Sequence, residues 1–191
     1  MATETIEQAE RTESKRSMHD GVVIAAVGAA TGLVGGLLML ALILPYTSAI
    51  GLGVNLFPRA IAAMFYDVDA LVGGSSVVAV GYLVHFLAAI VWGILFTWLA
   101  RPESTLAGSF AWAVAYIVGV WLFMTYAALP ILNPVLGARV LLMPVAWFFG
   151  HLLFAVSISF APRLRRMISR TSLRPAGRVR QRGPVYAPAE G

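Results

Sequence analysis

The sequence predicts an all-α fold: a polytopic membrane protein built as an up-down-up-down bundle of four transmembrane helices. Three observations predict it. Hydrophobic residues make up 59% of the chain and charged residues 12%, about half the ~25% charged share of a soluble domain. The apolar residues gather into four runs that contain no Lys, Arg, Asp or Glu. Each run reaches the ~20 residues that a helix rising ~1.5 Å per residue needs to cross ~30 Å of hydrocarbon. Helices follow rather than strands, because lipid offers no partner for backbone N–H and C=O groups, and the runs lack the alternation of barrel strands.

Residues 1–20 read as a short, frayed cytoplasmic lead of mixed charge, with Glu4, Glu7, Glu10, Arg11, Glu13, Lys15 and Arg16. A cleaved targeting peptide would start with a short basic region, so the first run is expected to remain as a span. The membrane domain covers 21–162, with spans at about 22–45, 77–99, 106–129 and 140–161. Between the first two spans, Asn55-Leu56-Phe57-Pro58-Arg59 and the residues to Tyr66 form a short helix with Pro58 in its first turn. That helix lies on the outer surface or dips into the bundle. Arg101-Pro102-Glu103-Ser104 is a compact turn, and residues 130–137 break the third span and link it to the fourth. The tail, 163–191, is rich in Arg and largely disordered.

Orientation follows from the basic residues. The tail holds eight arginines and the lead holds Arg11, Lys15 and Arg16, whereas the loops after the first and third spans offer Arg59 and Arg139. Positive residues stay inside, so both termini are expected in the cytoplasm, as an even number of spans requires. Arg163, Arg165, Arg166 and Arg170 directly follow the fourth span. They are expected to hold anionic lipid headgroups at ~1 kcal/mol each. The tail lacks the interleaved aromatics of a nucleic-acid binder, so no nucleic acid is expected. The ends of the first and third spans resemble each other (Ala41-Leu42-Ile43-Leu44-Pro45 and Ala127-Ala128-Leu129-Pro130), and each next span carries one histidine. This pattern points to two copies of a two-helix unit.

Those histidines, His85 and His151, are the candidate chemical residues. Both spans run from outside to inside, and the depths differ by ~4–5 Å at ~1.5 Å per residue. Each histidine sits on a small-residue stripe: Gly81, His85, Ala89 and Gly93 on one helix, His151, Ala155 and Ser159 on the other. Small residues mark faces that pack on helices rather than lipid. The two helices would stand diagonally across a four-helix core, aiming two imidazoles inward at one level. Such a pair suits bis-histidine ligation of haem b, with Arg59, Arg139 or Tyr46 for the propionates. The alternative is structural, with each imidazole bonded to a neighbouring helix through Thr125, Tyr116, Ser157 or a buried water.

Gly28, Gly32 and Gly36 form a GxxxGxxxG zipper on the first span, for a helix of this chain or of another subunit. Trp98 and Tyr126 fall at span ends, where the interface favours them. Trp92, Trp112, Trp121 and Trp147 lie deeper, and packing or a quinone or haem pocket would employ them. His19 is interfacial, and Asp67 and Asp69 face solvent. Cysteine is absent, which excludes disulfides and iron–sulfur clusters. No HExxH, GxSxG or P-loop occurs, and no span holds a carboxylate or lysine for a proton relay.

Gly81-Tyr82-Leu83-Val84-His85 and Phe149-Gly150-His151-Leu152-Leu153-Phe154-Ala155, within a four-span region over 21–162, resemble the small four-helix inner-membrane proteins of the YagU-like kind. That family has no settled activity, so the resemblance implies a fold and a location and no reaction. The expectation is a non-catalytic accessory or assembly partner in a larger membrane complex, touching a membrane-protein partner or copies of itself. A haem-binding electron carrier is the alternative, and a small transporter or channel the third reading.

Overall fold

In the computed structural model the described residues are 2–100, 105–142 and 144–172; they are helical almost throughout, and no strand occurs among them. Arg101-Pro102-Glu103-Ser104 and the tail beyond Ser172 lie outside the described residues. Four stretches are long and apolar enough to cross a membrane: Ser17–Ala49, Ser75–Leu99, Leu106–Leu132 and Pro144–Ser169.

Helix α1 (Ala2–Ala49) runs for 48 residues, or ~72 Å at ~1.5 Å per residue, more than twice the hydrocarbon thickness. The lead expected to fray is therefore the first part of α1. No Gly or Pro interrupts residues 2–20, so the helix propagates outward from the span. It stops at Gly51, whose φ of 80° lets the chain turn back. The Leu52 N–H then donates to the Thr47 carbonyl at 2.9 Å.

Helix α2 (Leu56–Tyr66) buries Phe57, Pro58 and residues 60–63, so it dips into the bundle rather than resting on it. A 3₁₀ segment (Asp67–Val72) leads to α3 (Ser75–Leu99). Helix α4 (Leu106–Phe123) starts at Thr105, whose hydroxyl accepts the Gly108 N–H at 3.1 Å. It passes through a π-helical turn (Met124–Ala128) into α5 (Leu129–Leu132). Pro130 explains the widened turn, because it has no N–H to give and its ring crowds the carbonyl of Tyr126.

Along the fourth run come helix α6 (Pro134–Leu142) and, beyond Met143, which lies outside the described residues, helix α7 (Pro144–Ile158). After a turn at Ser159 and Phe160, α8 (Ala161–Ser172) carries the first tail arginines as helix.

Helix α1 is the hub. Half of its apolar window is buried, against 17% for α3, and it packs on both α3 and α7. Helix α4 leans on α7, α8 lies on α1, and α2 covers α3. The backbones of α3 and α4 scarcely approach. Side chains bridge them instead: the Tyr116 hydroxyl donates to the Trp92 carbonyl at 3.0 Å, and its ring lies 5.3 Å from that of Phe96.

Candidate functional site

Small residues bring the helices of the site together. A Cβ on Gly28 would collide with Ile94, one on Gly32 with the Ala89 carbonyl, and one on Gly93 with the Gly28 carbonyl. The zipper of α1 is therefore used inside the chain, against α3. Gly36 completes it, with room for a Cβ only 3.0 Å from Ala89 Cβ. Gly81 serves a different partner, since a Cβ there would strike the Pro58 carbonyl of α2. On the other side of α1, the Ser157 hydroxyl donates to the Thr31 carbonyl at 2.7 Å. A membrane-buried bond of this kind contributes ~0.6 kcal/mol on average.

This packing leaves a cavity of about 150 Å³ where α3, α4 and α7 meet beneath α2, lined by both His85 and His151. Its other walls are almost wholly apolar, with Ala88, Ile117, Phe57 and Phe154 among them. The histidine partners are backbone carbonyls rather than the side chains expected. His85 Nε2 lies 3.1 Å from the Gly36 carbonyl oxygen, and His151 Nδ1 lies 2.8 Å from that of Trp147. A carbonyl only accepts, so each of these nitrogens carries the hydrogen. In the neutral rings His85 Nδ1 and His151 Nε2 are then lone-pair acceptors. No hydrogen-bond partner for either nitrogen occurs among the described residues.

Aromatic rings join the two histidines. Phe57 lies 5.6 Å from His85 and 5.6 Å from Trp147, and Trp147 lies 5.0 Å from His151. The indole N–H of Trp147 is buried and has no acceptor among the described residues. Of the four deep tryptophans, Trp92 and Trp147 line the cavity. Trp112 is half exposed on the outer face, and Trp121 packs 5.2 Å from Phe148. Trp98 and Tyr126 are exposed at span ends.

These residues do not fit a bis-histidine haem. The Nε2 of His85 is held by Gly36, and the cavity is well below the ~300–1,000 Å³ of pockets for drug-sized ligands, whereas a porphyrin is larger still. The propionate partners are elsewhere too. Arg59 Nη1 points to the Leu71 carbonyl at 3.5 Å, and Arg139 and Tyr46 line a separate cleft of about 20 Å³. Among the described residues no cluster of three His, Asp, Glu or Cys offers a metal site. Asp67 and Asp69 are exposed, as is His19.

Two features of the fold escaped the sequence reading. Asn133 is fully buried; its amide donates to the Ala60 and Ile61 carbonyls at 2.9 and 3.1 Å, and its oxygen accepts the Leu136 N–H at 3.0 Å. The Asn-Pro pair at the start of a helix is the signal for such a cap. The second feature is an outward row on α4, Ala111, Ala115 and Gly119, exposed at four-residue spacing. Of the headgroup arginines, Arg163 is exposed and Arg165 and Arg166 are half-buried, while the side chain of Arg170 lies outside the described residues. Comparison with family models, curated proteins and solved structures finds no match to this chain.

Proposed function

We propose that this chain is a non-catalytic integral protein of the cell membrane that takes a small apolar molecule from the bilayer into the cavity between α3, α4 and α7. The observation that carries this reading is the convergence of two buried histidines on one otherwise apolar cavity, bordered by the pair of helices whose backbones scarcely meet. An apolar cavity of ~150 Å³ holds a benzene-sized group, and a few convergent polar groups in an apolar pocket are the usual form of a ligand site. In this reading the spans alternate in direction, both termini face the cytoplasm, and the arginines of α8 rest on anionic headgroups.

Photolabelling tests it. An aryl diazirine added to the protein in phosphatidylcholine nanodiscs is expected to label cavity residues such as Ala88 and Ile117 above lipid-facing Leu87 and Phe149. Ala88→Phe, which fills the cavity from its wall, is expected to abolish that excess. Uniform labelling of cavity and lipid face would contradict the reading.

A specific observation favours a second role beside it, that of an accessory or assembly partner. The exposed row Ala111, Ala115 and Gly119 presents the small surface that transmembrane helices use to approach one another. A Cβ added at Gly119 would meet nothing within this chain.

A further inference from the structure

We infer that the cavity selects a hydroxyl group: its ligand is a membrane-dissolved molecule whose ring-sized apolar head carries an O–H, as in a phenol. The inference rests on the cavity reading above and adds the chemistry of recognition.

The backbone fixes the tautomer of both histidines. Gly36 and Trp147 offer carbonyl oxygens to His85 Nε2 and His151 Nδ1, at 3.1 and 2.8 Å. Each carbonyl requires a hydrogen on the nitrogen it faces. The backbone therefore leaves both cavity histidines with an outward lone pair and nothing to donate from it. A group that only accepts, such as a ketone, an ester or an ether, finds no partner in either imidazole. A hydroxyl does, by donating.

The hydroxyl oxygen retains lone pairs of its own. Trp147 lines the same cavity one helical turn before His151, and its buried indole N–H lacks an acceptor among the described residues. Away from these groups the walls are apolar, and the ring-sized volume of about 150 Å³ sets the size of the head. The rings of Phe57 and Trp147, 5.6 Å apart, supply aromatic surface beside it. A long apolar remainder would extend into lipid on the side where α3 and α4 stand apart.

Two matched photoprobes test this: a diazirine-bearing alkylphenol and its methyl ether, in phosphatidylcholine nanodiscs. They differ in one hydrogen-bond donor. The phenol is expected to label the cavity wall about threefold to tenfold more strongly than the ether, the worth of one net hydrogen bond. His151→Phe keeps a ring and removes the acceptor, and is expected to bring the phenol down to the level of the ether. Independently, ¹⁵N NMR of the wild-type protein is expected to show His151 hydrogenated at Nδ1, with the Nε2 resonance moving on addition of unlabelled alkylphenol. Equal labelling by phenol and ether, or a hydrogen on Nε2, overturns the inference and leaves the cavity reading standing. Labelling of the wall by neither probe overturns the cavity reading itself.

Discussion

At Asn133 one carboxamide uses its two N–H bonds on carbonyls of α2 and its oxygen on the first turn of α6. No other polar side chain among those described joins the dipping helix to the segment between the third and fourth spans so fully. Removing it strips a helix cap and leaves two buried carbonyls without these donors. Asn133→Ala is therefore expected to cost about 2–4 kcal/mol, read as a drop in thermal midpoint in detergent, and to loosen α2 over the cavity. The residue was legible only as part of a linker, since its worth lies in carbonyls more than 70 positions earlier. The histidines show the opposite balance. Their stripes placed both on buried faces, and both are buried, but their partners are backbone oxygens that no side-chain pattern announces.

At the scale of elements, glycines with the same sequence signature do different work. Gly32 touches the backbone of α3, so Gly32→Leu forces two helices apart; overpacking of this kind costs about 1–3 kcal/mol or more. Gly119 faces open space, so Gly119→Leu is expected to leave the thermal midpoint within about 0.5 kcal/mol of wild type. If the accessory reading holds, the same variant loses the crosslinks that a partner helix makes to α4. Helix existence was readable throughout, because length and composition alone decide what can span a bilayer. Helix ends were less so. The third span was expected to end at about residue 129, yet helix runs on through the π-helical turn and Pro130 to Leu132. The lead is polar and was expected to fray, yet it is rich in helix formers and adjoins a helix already nucleated in the membrane.

For the whole molecule, the cavity depends on which helices fail to meet, and that is a property of packing no single span carries. Composition showed four helices and the stripes showed which faces are inward; the gap between α3 and α4 arises because α1 takes the small-residue face of α3. Haem ligation asked for both Nε2 atoms to be free, and the fold gives one of them to Gly36. A dithionite-reduced minus oxidised spectrum of protein expressed with haem precursor is expected to show no α-band of a b-type cytochrome; a sharp band lost in His85→Ala and His151→Ala would reverse that conclusion. A carrier or channel would need a continuous polar path, whereas the cavity walls are apolar apart from the two histidines, Asn133 and the indoles of Trp92 and Trp147.

A cavity filled from the bilayer keeps its occupant through purification. The most direct measurement is mass spectrometry of the small molecules extracted from purified wild-type protein and from Ala88→Phe, matched for detergent and lipid. One apolar species is expected in near-stoichiometric amount with the wild type and depleted in the variant, whose thermal midpoint is no lower. Identical extracts from two equally stable proteins would contradict it.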